Sequence, residues 1–325
     1  MKNFCGRLTW IAFLCSALSG QSLAQPYPNK PIRVVVPYAP GGATDIMGRV
    51  AAQRLGDILG QQLIIDNRPG GSTVIGAEFT AKAAADGYTL MFTNDATFVL
   101  NPALFPKLSY NMARDFVPVA TVAYLNLALV VSTDLPVNNY AELVAWTKAK
   151  SGTISYGSYG VGSQAHLMGE MYKKLTATDI VHVPYKGSAP AVADVIGGQV
   201  VFTFPAIPTV QGFIKAGKLK ALAISGEKRS ALLPEVPTFT EAGAKDMDIG
   251  AWYAFFAPAG TPRDVVNRLN AAVATMLGNA EFVDKQLSPQ GMLPMNHSPE
   301  QVSALMKSEG ERMLRIIKLS GAKVE

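Results

Sequence analysis

The sequence predicts an α/β fold built as two lobes. From Ile32 onward, short β-branched runs alternate with helical patterns, and the alternation restarts after Ala120. The chain then ends in three helical patterns with too few strands for a third sheet, so these are expected to pack back on the first lobe. In the first unit, strands are predicted over 32–36, 63–66 and 89–93. A helix over 44–59 places Met47, Val50, Ala51, Leu55 and Ile58 at helical spacing before Gly60 stops it, and a second helix is predicted over 72–85 before the Asp86-Gly87 turn.

The second unit reads as strands over 127–132, 153–157, 180–183, 200–204 and 219–225, with helices over 140–150, 164–175 and 189–196. A strand over 252–256 follows, then helices over 262–277, 280–287 and 299–319, with a short strand over 292–295. This order makes the first lobe discontinuous: residues 26–125 plus 251–325 form lobe 1, residues 126–250 form lobe 2, and the chain crosses near Tyr124 and Gly250. Strands joined through helices imply mainly parallel pairing, with helices on both faces of each sheet.

Residues 1–24 have the layout of a secretory signal peptide: Lys2 and Arg7, an apolar stretch from Leu8 to Leu18, then small and polar residues up to Ala24. That stretch is too short to span a membrane, so the mature protein is expected to be soluble and periplasmic. Cys15 follows Phe13-Leu14 and Cys5 comes too early to accept a lipid. Both cysteines lie in this segment, so the mature chain offers no disulfide, Cys-metal site or thiol nucleophile. The formal charge of +5 falls to +3 without Lys2 and Arg7, and the remaining basic residues are scattered among acids. This pattern excludes nucleic acid as a natural partner and suits anionic solutes.

Function in an open α/β sheet is expected where strands end and helices begin. After the first strand come Tyr38, Gly41, Gly42 and Asp45; the glycines permit close backbone approach, and the following helix start attracts an anion. Asp45 fits a cap as well as a ligand contact. The second strand leads to Gly70-Gly71-Ser72-Thr73, and the third ends at Thr93 and Asn94. Arg68 beside Asp66 reads as a structural tether rather than a carboxylate clamp. In the second unit, Ser158, Ser163 and Gln164 surround Gly160-Val161-Gly162, which formally fits a dinucleotide fingerprint with Ala165 in its last place. That fingerprint belongs to the first βα turn of a domain and requires an acid closing the next strand. Asp179 precedes that strand, so a third anion-cradling helix start is the better reading. Tyr185, Lys186 and Phe204 follow later strands and are expected to face the cleft from lobe 2. His166, His182 and His297 lack ligand-like spacing, and no Gly-x-Ser-x-Gly elbow occurs. No metal, cofactor or catalytic residue is expected; the alternative is an exported or cofactor-binding α/β enzyme using the Gly160-Val161-Gly162 loop.

The mature chain resembles the Bug family, the periplasmic receptors of tripartite tricarboxylate transporters. The likeness runs through Tyr27-Pro28-Asn29-Lys30-Pro31-Ile32, Pro40-Gly41-Gly42, Asn67-Arg68-Pro69-Gly70, Asp86-Gly87-Tyr88-Thr89-Leu90 and Asn101-Pro102-Ala103-Leu104. It continues through His182-Val183-Pro184-Tyr185-Lys186-Gly187 and Gly197-Gly198-Gln199 to Ala257-Pro258-Ala259-Gly260-Thr261-Pro262. The resemblance implies a type II periplasmic-binding-protein fold, a Venus flytrap closing on a small organic carboxylate held partly through backbone groups and water. It also implies a membrane permease as partner; the receptor itself is expected to be a monomer. Phe204-Pro205-Ala206 stands where many members carry an acidic or amide side chain, so the ligand is expected to lack an ammonium group.

Overall fold

The computed structural model describes residues 27–322, and the proposed signal peptide lies outside the described residues. Two sheets form. The first has the order β11-β4-β10-β3-β1-β2 and the second β7-β6-β8-β5-β9. Sheet 1 takes β1 (Ile32–Val36), β2 (Leu63–Asn67), β3 (Thr89–Asn94), β4 (Phe116–Leu125), β10 (Ala251–Pro258) and β11 (Leu293–Pro294). Sheet 2 takes β5 (Ala128–Ser132), β6 (Ser155–Ser158), β7 (Val181–Pro184), β8 (Phe202–Thr203) and β9 (Leu219–Ile224). The main helices are α1 (Ala43–Leu59), α2 (Val74–Ala81), α3 (Tyr140–Ala149), α4 (Gln164–Thr176), α5 (Ser188–Ile196), α6 (Ile207–Lys215), α7 (Arg263–Leu277) and α8 (Pro299–Ser320). We refer to sheet 1 and sheet 2, each with its helices, as lobes 1 and 2.

Both sheets are mixed rather than parallel throughout. β1 pairs in parallel with β2 and β3, and β6 with β7 and β8, pairings that need crossover connections and have helices in them here. β10 arrives from the other lobe and runs antiparallel to β3 and β4; β5 likewise runs antiparallel to β8 and β9. The orders β2-β1-β3 and β7-β6-β8 reverse direction at β1 and β6, which opens a crevice at the carboxyl ends of β1/β3 and β6/β8.

Local chemistry accounts for most element ends. α1 buries Met47, Ala51, Leu55 and Leu59 along one stripe, and Gly60, left-handed at φ 69°, returns its N–H to the Gly56 carbonyl at 2.9 Å. α8 opens on a capping box between Ser298 and Gln301 and closes at left-handed Gly321. α2 begins at Val74 rather than Ser72 because Gly70, Gly71, Ser72 and Thr73 all have positive φ, which a helix cannot continue.

Two of these elements escape the periodicity reading. β4 is buried almost throughout and so shows no alternation, and its Pro118 is tolerated where the register to β10 shifts beside Phe256. α6 starts with Pro208 in its first turn, a helix-start signal hidden behind the shorter β8.

The chain leaves sheet 1 after Leu125 and returns at Ala251. The two crossing segments bond to each other, Ser225 N–H to the Leu127 carbonyl and Leu127 N–H to Ser225 Oγ, both at 2.8 Å. α7 packs on α1 and β4, whereas α8 packs on β4 and also on α4 of lobe 2. The main core runs through both lobes. It includes Phe92, Phe98, Phe255 and Phe256 in lobe 1 and Tyr156, Tyr172, Phe202 and Phe204 in lobe 2, and a smaller cluster with Val195, Val210 and Ile224 also lies in lobe 2. No described helix is long and apolar enough to cross a membrane.

Candidate functional site

The two crevices face each other and enclose a small cavity. It is lined by Tyr38, Gly42, Thr44 and Asn94 from lobe 1, with Ala43 and Tyr253, and by Tyr159, Ser188 and Ala206 from lobe 2. Tyr38 follows β1, Asn94 ends β3, Tyr159 follows β6 and Ala206 follows β8, so each crevice contributes both its walls. The enclosed volume is about 10 Å³, room for about one water. The rings of Tyr38 and Tyr159 meet edge to face at 6.3 Å and separate this inner cavity from an outer one of about 230 Å³. The outer cavity is lined by Gly70 to Thr73 on one side and Gly160, Pro184, Tyr185 and Lys186 on the other.

α6 begins behind Ala206 with Ile207 N–H taken by the Asn126 carbonyl, Thr209 N–H by the Ala206 carbonyl and no N–H on Pro208. Two helices, one from each lobe, begin at the inner cavity with neither a side-chain cap nor such partners: α1 behind Gly42 and α5 behind Gly187. Their first-turn N–H groups therefore point at the hollow from both lobes, an arrangement that favours negative charge. Asp45 does not compete for that place. Its carboxylate accepts from Gly41 N–H at 3.0 Å, Arg49 and Asn67, tying down the glycine loop. Burial works against this carboxylate, but those hydrogen bonds and the Arg49 charge hold it below its ordinary range. Burial raises the phenols of Tyr38, Tyr159 and Tyr253 above theirs, so all three stay neutral hydrogen-bonding groups.

The remaining expected site residues divide. Gly41 sits at φ 82° with Ala189 at 3.5 Å from where its Cβ would stand, so the glycine loop rides directly on α5. Lys186 extends from the outer cavity, and its carbonyl accepts the Ala39 N–H across the cleft at 3.0 Å. Tyr185 lines that cavity with its ring, but its hydroxyl donates to Asp194 of its own lobe and is pushed up to about 12, chiefly by burial. Thr93 bonds Thr97 within the core of lobe 1 and does not reach the cleft. Ser158 bonds His182 Nε2 at 2.7 Å and supports the Gly160 turn from behind; Ser163 caps α4. Gln164 is fully buried, and its amide is occupied by Asn94, Asp95 and Tyr159.

Phe204 does not face the cleft as expected. It is packed against Phe202 and Phe239 in the core, and Ala206, two residues on, takes the wall position. β8 is only two residues long, Phe202–Thr203, instead of a strand over 200–204, so Phe204 is not the residue that its end delivers to the cleft. Sequence reasoning also missed Tyr159, Ser188 and Tyr253. Tyr159 was the most legible, an aromatic inside a Gly/Ser loop. It missed Asn101 too, whose amide donates to the Ser72 carbonyl at 2.7 Å and to Thr73 Oγ1 at 3.1 Å, holding the strained turn.

The Gly160-Val161-Gly162 loop serves lobe contact. A Cβ on Gly162 would meet Asn101, Phe105 and Leu104 of lobe 1 at 3.1–3.3 Å, and Gly160 lies against Ser72. These glycines let the lobes touch. Arg68 pairs with Asp66 at 2.9 Å and lies over the Phe79 ring, the tether expected. No cluster of three metal-ligating side chains occurs among the described residues.

His166 and His182 stack at 4.3 Å behind the same loop, and Gly162 N–H donates to His166 Nδ1 at 3.1 Å. Burial lowers both imidazoles, His182 to about 3, with the neighbouring His166 and Lys173 adding to the shift. A group of lowered pKa binds protons in the unfolded chain first, so its stabilisation is complete above the ordinary histidine range and fades as pH falls from about 6.5 toward 3. Partial exposure screens the effect below the limit of about 1.4 kcal/mol per pH unit and proton. Melting temperature is therefore expected to fall from pH 7.5 to pH 5, and less steeply in His182→Gln; equal slopes in the two proteins would contradict the assignment.

The family model for the tripartite tricarboxylate transporter family receptor matches residues 47–322. The chain belongs to this family. The receptor is 37% identical over 303 residues to protein BugT of Bordetella pertussis, covering 93% of each chain. Among solved structures it resembles Rpa4515 of R. palustris with adipate, at 34% identity and TM-score 0.88, over 92% of this chain and 100% of that one. It also resembles MatC of Rhodopseudomonas palustris with bound malate, at 31% identity and TM-score 0.84, over 90% and 100%. The protein is thus a Bug-type, TctC-like solute-binding receptor of the periplasmic class and not an enzyme.

Proposed function

We propose that this receptor is exported by its N-terminal signal peptide and captures a small organic acid between its lobes. It then delivers the acid, as a monomer, to the membrane permease of a tripartite tricarboxylate transporter. The ligand is a di- or tricarboxylate or an aromatic acid and carries no ammonium group. The observation that carries this reading is the meeting of two uncapped helix starts, one from each lobe, at a hollow lined by no carboxylate side chain. An ammonium group there would find phenols, an amide and hydroxyls but no countercharge, while a carboxylate would find N–H and O–H donors.

The outer cavity extends the same logic. Lys186 and the uncapped start of α2 at Thr73 offer a place for a second acidic group beyond the Tyr38–Tyr159 pair. That two relatives were solved with adipate and malate supports the carboxylate class. Binding at contacts from both lobes shifts the open–closed equilibrium by differential affinity, which gives the permease a ligand-dependent shape to recognise. A thermal-shift screen of the mature protein should show stabilisation by dicarboxylates or aromatic acids and none by aspartate or glutamate. Stabilisation by the amino acids alone would reject this reading.

A further inference from the structure

Behind the inner cavity, five buried side chains form one hydrogen-bond chain across the cleft. Tyr38 donates to Asn94 Oδ1 at 2.8 Å in lobe 1. Asn94 Nδ2 and Tyr159 OH donate to Gln164 Oε1 at 3.4 and 3.1 Å, and Gln164 Nε2 donates to Asp95 Oδ1. Asp95 belongs to lobe 1 and Gln164 to lobe 2, and they are 1% and 0% exposed. Two donors on Oε1 and a carboxyl facing Nε2 leave only one orientation for the amide.

Tyr38, Asn94 and Tyr159 line the cavity, whereas Gln164 and Asp95 lie one layer deeper and touch no part of it. A ligand entering the inner cavity must push Tyr38 and Tyr159 apart, because about 10 Å³ holds no organic acid. The Asp95–Gln164 bond can persist through that adjustment. It forms only when the lobes meet, and it needs no guest.

We propose that Asp95 and Gln164 form a latch that closes this receptor without ligand. They are positioning residues: they set how much of the unliganded protein is shut and how slowly bound ligand leaves, without contacting it. In the open form both side chains are handed to water, so the latch biases the equilibrium rather than locking it.

The test needs no ligand, so its failure is separate from failure of the carboxylate assignment. Because the chain has no cysteine after Cys15, Asp57→Cys on α1 and Lys174→Cys on α4 place one spin label on each lobe at exposed sites. Protein unfolded and refolded on a column to strip bound solute is then measured by double electron–electron resonance. The parent is expected to show a short-distance, closed component, and Gln164→Leu to reduce its closed-to-open ratio at least ten-fold. A second variant guards against misfolding. Gln164→Glu faces Asp95 with another carboxyl, and the two join only by sharing a proton, so its closed fraction should rise from pH 8 to pH 5. The other groups acting there are Tyr38, Tyr159, Tyr253 and, from α8, the Glu309–Arg312 ion pair. An exclusively open parent, or closed fractions unmoved by Gln164→Leu or by pH in Gln164→Glu, would overturn the latch.

Discussion

Gly42→Val is expected to raise the dissociation constant for the captured acid by about 10- to 100-fold while leaving the melting temperature of the unliganded protein nearly unchanged. A Cβ at Gly42 would stand 2.8 Å from Ser188 Oγ and 3.7 Å from the Ser188 nitrogen, both in the opposite lobe. The backbone itself, at φ −84° and ψ 170°, is extended and open to any residue, so the open form tolerates the change. The strain therefore falls on closure. Overpacking of this kind costs about 1–3 kcal/mol, and each 1.4 kcal/mol taken from the closed state weakens binding about ten-fold. Gly42→Ala should act more mildly, because the Ser188 hydroxyl can rotate away from a single methyl. Calorimetry with an acid that stabilises the parent measures both; unchanged affinity in Gly42→Val would remove this loop from the site.

Gly169→Ala is expected to destabilise the fold by on the order of 2–3 kcal/mol, against the gain that alanine normally brings to a helix. The added carbon would lie 2.0 Å from Cε2 and 2.2 Å from Cζ of Tyr156. That ring cannot retreat. It is fully buried, stacked between His182 and Phe202, and its hydroxyl donates to Glu170 at 2.8 Å. Gly212→Ala is the matched control, since nothing stands within 4 Å of its Cβ position and α6 should gain up to about 1 kcal/mol. Denaturant melts of the two variants should move in opposite directions, and a neutral Gly169→Ala would mean that the α4–β6 packing is looser than described.

Much of the candidate site was legible as loops and little of it as side chains. The glycine-rich turns after β1, β2 and β6 were recognisable because close approach and positive φ demand glycine, and Gly41, Gly70, Gly71, Gly160 and Gly162 do take positive φ. Which neighbouring side chain reaches the hollow was not recognisable. Tyr38, Gly42 and Asn94 line it, but Thr93, Ser158 and Ser163 serve the elements that carry it, and Gln164 binds the other lobe. Polar residues in a strand-to-helix loop can cap, brace or face a guest, and the same residue types do all three.

By itself the sequence determined the layered α/β alternation, the absence of cysteine after Cys15 and the family. Each rests on patterns carried by neighbouring residues or on composition, and neither needs distant contacts to be read. Only the tertiary structure decided that β10 runs against β3, that Ala206 and not Phe204 forms a wall, and that α8 reaches lobe 2 as well as lobe 1. The cleft is assembled from segments as far apart in the chain as Tyr38, Ser188 and Tyr253. Periodicity tells which face of an element is buried, but the rotation of one lobe against the other, which aims those faces at each other, is set by packing across the whole interface.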